Sequence, residues 1–119
     1  MKKRVLVVDD DAQVLKVCVH ALERGGYTAF QAGDTGQARA LLKEQAIDLV
    51  ILDIHMPQED GIRFLQRIRD SMPDLPVILI TGYPAVSTVV NAMRLDAKEY
   101  LQKPFSVRDL LDAVERGLS

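Results

Sequence analysis

Cysteine is nearly absent from this 119-residue chain. Cys18 stands alone, so no intramolecular disulfide can form. It sits in "VLKVCVHAL" at helical spacing with Val14, Ala21 and Leu22, the setting of a core residue rather than of a reactive thiol. Positive charge is not in excess either. The formal net charge is −2, which leaves no basic field to hold nucleic acid or an anionic membrane. No apolar run approaches the ~20 residues of a membrane span. The start "MKKRVLVV" is briefly basic, then apolar, but Asp9 ends the run too soon for a signal peptide. Linkers, repeats and low-complexity stretches are lacking as well. These absences point to one domain over residues 1–119 in a reducing cytoplasm. With 48% hydrophobic and 27% charged residues the composition is globular. A chain of this size buries about two thirds of its unfolded surface and needs no disulfide or structural metal.

What is present is a repeated alternation. Five short apolar runs appear: "RVLVVD", "YTAFQA", "DLVILD", "PVILIT" and "KEYLQ". Three are almost continuously apolar and rich in Val, Ile and Leu, as parallel strands covered on both faces are. Each run is followed by a helical period. The first helix holds Val14, Cys18, Ala21 and Leu22 and stops at Gly25-Gly26. The second holds Ala38, Leu41 and Leu42 behind an Asp34 cap, and the third Ile62, Leu65, Ile68 and Met72 behind Asp60. The fourth carries Val86, Val89, Val90 and Met93. The fifth carries Val107, Leu110, Leu111, Val114 and Leu118, opening on the capping box "SVRD". Five βα units imply an α/β fold: a doubly wound five-stranded parallel sheet with helices on two faces. The flavodoxin-like order 2-1-3-4-5 is the natural one. Ligands of such sheets bind beyond the carboxyl ends of the strands where the order reverses, here between the first and third strands.

The residues expected at those ends are few. The first strand runs into Asp9, Asp10 and Asp11, the third ends in Asp53, the fourth in Thr81, and the fifth runs into Lys103. Two carboxylates about 4 Å apart repel by roughly 1 kcal/mol in water and more in a protein, so the acidic run needs a cation or a helix start to offset it. Oxygen ligands of this kind suit Mg²⁺. An ammonium and a hydroxyl beside such an ion make a site for a phosphoryl group. Asp11, facing the following helix, is expected to serve that helix's N-terminus.

From "VLVVDDD" through "LVILDIHMP" and "VILITGY" to "EYLQKPF", the chain resembles the receiver domains of two-component response regulators over essentially its whole length. The resemblance implies that Asp53 accepts a phosphoryl group from a sensor histidine kinase or phosphotransfer protein, forming an acyl phosphate. It implies a Mg²⁺ site of Asp10, Asp53, the backbone carbonyl of His55 and Asp9, the last directly or through water. Lys103 would pair with the phosphoryl oxygens, its peptide bond to Pro104 cis. Thr81 and Tyr100 would act as switch residues. They would alter the face of the fourth helix, fifth strand and fifth helix, with Gly82 leaving room for the Tyr100 ring. Homodimerisation through the fourth helix and fifth strand, and a covalently attached output domain beyond residue 119, are further implications. The domain itself would be a signalling acceptor rather than an enzyme.

Simpler readings stand beside these. The acids could serve a helix start alone, Thr81 could be an ordinary strand residue, and Tyr100 a half-buried aromatic that never switches. The His55 side chain is expected to face solvent; with Tyr83 it would gate water reaching the acyl phosphate. Asp96 departs from the resemblance, standing where a small residue usually closes the fourth helix in a left-handed conformation. Two other functions compete. A haloacid-dehalogenase-like phosphatase would use Asp9 and Asp11, but Ala12 and Gln13 follow where a small β-branched residue is expected, and no later acidic pair completes its site. A pseudo-receiver would bind partners without phosphorylation, although every matching acid is present.

Overall fold

The computed structural model describes residues 2–56, 59–82 and 86–119, without the side chains of residues 59, 60 and 86–89. Five strands, β1 (Arg4–Val8), β2 (Thr28–Ala32), β3 (Leu49–Asp53), β4 (Val77–Thr81) and β5 (Glu99–Gln102), form one parallel sheet in the order β2-β1-β3-β4-β5. Five helices, α1 (Ala12–Arg24), α2 (Thr35–Glu44), α3 (Gly61–Ser71), α4 (Val86–Arg94) and α5 (Val107–Leu118), complete the alternation. A two-residue antiparallel pair, His55–Met56 with Glu59–Asp60, lies between β3 and α3 and has no counterpart in the sequence expectations.

The apolar runs are apolar throughout because both sheet faces are covered. On one side Val5, Val7, Ile51, Ile78 and Ile80 pack with Leu15, Cys18, Leu22, Leu110 and Val114 of α1 and α5. On the other, Leu6, Val8, Val50, Leu52 and Leu79 pack with Ala38, Phe64, Leu65, Ile68 and Ala92 of α2, α3 and α4. Cys18 is fully buried, and burial pushes its thiol up to about 11, the inert core residue expected.

Caps hold the helix starts. Asp11 accepts from Gln13 N at 2.9 Å, Asp34 from Gln37 N at 2.8 Å, and Ser106 with Asp109 closes the capping box. The expected Asp60 cap and the Tyr83 gate lie outside the described residues, Asp60 by its side chain.

In α5 the expected stripe holds, with Leu110 and Val114 buried and Leu111 and Leu118 packed against the core; in α4 only Val90 and Met93 of the expected stripe have described side chains. Val90 and Met93 of α4 are exposed while the small Ala92 enters the core, and Val107 of α5 is exposed while Leu110, Ala113 and Val114 are buried.

Candidate functional site

Register brings the expected residues together. Asp53 pairs with Ile80 across β3 and β4, and Thr81 with Gln102 across β4 and β5, so the next residue of β5's path, Lys103, arrives beside Thr81. Lys103 N donates to Thr81 O at 2.7 Å, and Asp9 N to Ala32 O at 3.1 Å, extending the sheet one residue into the crevice. The Lys103–Pro104 peptide is cis.

The side chains then converge. Lys103 Nζ lies 2.7 Å from Asp9 Oδ2 and 3.2 Å from Asp53 Oδ2. Asp53 Oδ1 accepts from His55 N at 2.9 Å, and Asp9 Oδ1 from Asp11 N at 2.9 Å. Asp9, Asp53 and Thr81 are buried, whereas Asp10 is exposed. One oxygen from each of Asp9, Asp10 and Asp53 lies within 4.8 Å of the others.

This cluster carries surplus negative charge: three carboxylates against one ammonium. Burial pushes the Asp9 carboxyl above the usual range, and the Asp53 charge adds to it; Lys103 and the Asp11 N–H only partly offset this. Burial works against the charge on Lys103 too, but Asp9 and Asp53 outweigh it and raise its pKa. Asp9 Oδ2 has the lysine's charge beside it but, among the described residues, no aligned hydrogen-bond donor. All the candidate donors are oxygens and the deficit is two positive charges, which fits a hard divalent cation.

Gly61, which the sequence reading passed over, also belongs here. A Cβ at this position would overlap the Ile54 backbone and come within 3.0 Å of the Asp53 carbonyl oxygen. Only glycine lets α3 start directly against the end of β3. Its one sequence signal is its place at the head of a helical period, where a glycine without a packing reason would be wasteful.

Tyr100 is 38% exposed on β5, on the outside of the molecule. Among the described residues, nothing lies within 4 Å of where a Cβ on Gly82 would stand. The His55 side chain is exposed, as expected.

The family described as response regulator receiver domain matches residues 5–115. The chain belongs to this family. It is 41% identical over 116 residues to the response regulator protein FleR of Pseudomonas aeruginosa, covering 98% of this chain and 24% of that protein. It is 34% identical to the response regulator receiver protein CpdR of Brucella abortus, covering 98% of this chain and 97% of CpdR. Among solved structures it superimposes on a CheY-like response regulator receiver domain protein from Methanospirillum hungatei with a TM-score of 0.94, at 30% identity, covering 99% of this chain and 94% of that one. The chain spans about a quarter of the length of the first curated relatives it matches. This receiver domain is a signalling domain with an acidic cluster able to hold a metal ion, and no helix among its described residues is long and apolar enough to cross a membrane.

Proposed function

We propose that Asp53 is the phospho-acceptor of this receiver and that residues 1–119 act as one such domain in the cytoplasm. The observation that carries the reading is the Asp53 carboxylate, buried at the crevice floor and held between the His55 N–H and the Lys103 ammonium. A fixed carboxylate is a ready nucleophile. An Asp53 oxygen bonds to phosphorus as the P–N bond of a donor phosphohistidine breaks, the electron pair staying on the imidazole nitrogen. Lys103 pairs with the phosphoryl oxygens and Thr81 donates to one of them. Water later cleaves the acyl phosphate, restoring the carboxylate. The domain thus takes part stoichiometrically and is not read as an enzyme.

Asp10, Asp53 and the backbone carbonyl of His55 would hold Mg²⁺, with Asp9 directly or through water. The exposed Asp10, which has no protein partner among the described residues, supports this. The ion would supply neutralising charge to the incoming phosphoryl oxygens. Thr81 and Tyr100 form the switch, read on the face of α4, β5 and α5. Val90, Met93 and Tyr100, exposed apolar residues there, support a homodimer through α4 and β5. Output passes through a domain attached beyond residue 119 or through a separate protein. The donor is a sensor histidine kinase or phosphotransfer protein, and an apolar lip of Val14, Val17, Pro104 and Phe105 beside Lys103 suits a protein donor.

Incubation with Mg²⁺ and a small acyl phosphate, followed by intact mass, tests the reading. A gain of one phosphoryl group that Asp53→Asn abolishes is the expected result. Continuous phosphate release that survives Asp53→Asn but stops with Asp9→Asn would establish the phosphatase instead. No gain under any condition would establish the pseudo-receiver.

A further inference from the structure

Away from the crevice, α2 and α3 enclose a groove of about 310 Å³. Its floor is Phe64 and Ile68, each only 2% exposed, and its walls include the half-buried Leu42 and Met72. Three exposed cations rim it: Arg39 and Lys43 from α2, and Arg67 from α3. Among the described residues no carboxylate lines the groove and none forms an ion pair with these cations.

The charge is local. Segments α2 and α3 together carry five Lys and Arg and two Asp and Glu, in a chain whose net charge is −2. The rest of the domain is therefore acidic and repels an acidic partner, whereas this one face attracts it. An apolar trough between two helices, flanked by unpaired cations, has the form of a helix-in-groove site.

We propose that this groove docks an acidic amphipathic helix of a protein partner. Apolar residues one helical turn apart would cover Leu42, Phe64, Ile68 and Met72, and carboxylates beside them would meet Arg39, Lys43 and Arg67. A lipid surface fits less well because the apolar groups are recessed. A nucleic acid duplex fits less well because the positive rim is short and its surroundings are acidic. The proposal does not depend on phosphoryl chemistry.

The test uses the full chain labelled with ¹⁵N. Its probe is a helical peptide with leucine at i, i+3, i+4 and i+7 flanked by glutamate; a twin carries lysine in place of glutamate. The acidic peptide should shift amide signals around Leu42, Phe64, Ile68 and Met72, and the twin should not. Arg39→Glu with Arg67→Glu should weaken binding at least about tenfold and leave phosphoryl acceptance unchanged. Arg39→Gln and Arg67→Gln, read singly, serve if the double variant does not fold. Equal binding of both peptides, shifts confined to another face, or unchanged affinity in the variants overturns the proposal. So does Arg39- and Arg67-dependent binding of phosphatidylcholine–phosphatidylglycerol vesicles or of a DNA duplex when the acidic peptide does not bind.

Discussion

Two half-buried cations, Lys103 and Arg69, sit in this small domain and are satisfied in opposite ways. Lys103 meets carboxylates, and they outnumber it. Among the described residues, Arg69 donates hydrogen bonds only to main-chain carbonyls. Its Nε donates to Leu95 O at 2.6 Å, Nη1 to Leu75 O at 2.6 Å and more weakly to Met72 O and Pro73 O, and Nη2 to Asp96 O at 3.4 Å. These carbonyls belong to the ends of α3 and α4 and the turns that follow, so one guanidinium closes two helices. The protonation preferences diverge accordingly. Asp9 and Asp53 overcome burial and raise Lys103, whereas burial lowers Arg69 and the charges of Asp96 and Asp74 only partly offset it. A neutral, complete shell holds a structure together. A charged, incomplete one costs stability and leaves room for a ligand.

The contrast breaks first at Arg69. Arg69→Met keeps an apolar stem and removes every donor, leaving carbonyls at two helix ends unpaired. Charged hydrogen bonds of this kind contribute about 1.5–3 kcal/mol, so the variant should lose roughly 2–3 kcal/mol in chemical denaturation. Phosphoryl acceptance at Asp53, measured below the new melting temperature, should persist. If acceptance is lost while the fold is intact, Arg69 belongs to the acceptor chemistry after all and the separation of the two shells fails.

Asp9→Asn should move stability the other way. The amide keeps the shape but removes a buried charge from a cluster with too many. Without Mg²⁺ the variant should gain about 1 kcal/mol, or roughly 4 °C in melting temperature. The sign of its pH dependence follows from the raised pKa. Folded Asp9 holds its proton more tightly than unfolded Asp9, so the wild type gains stability as pH falls from neutral toward 3.8. Asp9→Asn lacks that gain, and the gap between the two proteins should close as pH falls. Mg²⁺ should stabilise the wild type more than the variant. A variant less stable than the wild type at neutral pH would mean that the Lys103–Asp9 pair outweighs the crowding of like charges.

The two shells were unequally legible. Asp9, Asp53, Thr81 and Lys103 could be read from the chain because each ends or follows a strand, and a parallel sheet carries all such ends to one edge. Asp11 was legible because an N-cap is a local matter. Arg69 was not: its partners Leu95 and Asp96 are main-chain groups 26 and 27 residues away, and a carbonyl has no letter of its own. Gly61 was hidden for the same reason, since what it avoids is the backbone of Asp53 and Ile54. The exposure of Val90 and Met93 was not legible either, because spacing marks a stripe and not which of its residues the core receives.

The smallest expected effect lies where the Arg69 shell meets an imperfect residue. Both α1 and α4 end in the same hydrogen-bonded turn. Gly26 N donates to Glu23 O and Tyr27 N to Leu22 O; Asp96 N donates to Met93 O and Ala97 N to Ala92 O. The turn needs a left-handed residue. Gly26 supplies it at φ +95°, and Asp96 adopts it at φ 60°. Asp tolerates that region better than most residues but less well than glycine. Asp96→Gly therefore relieves the backbone, but it also removes a carboxylate that attracts Arg69 across the turn. The carbonyl that Arg69 contacts is unchanged by the substitution, so the clamp survives. Thermal melts should find the variant neutral or more stable by up to about 1 kcal/mol. A clear fall in melting temperature would mean that the lost attraction exceeds the backbone relief, and that the Arg69 shell depends on a side-chain charge as well as on its carbonyls.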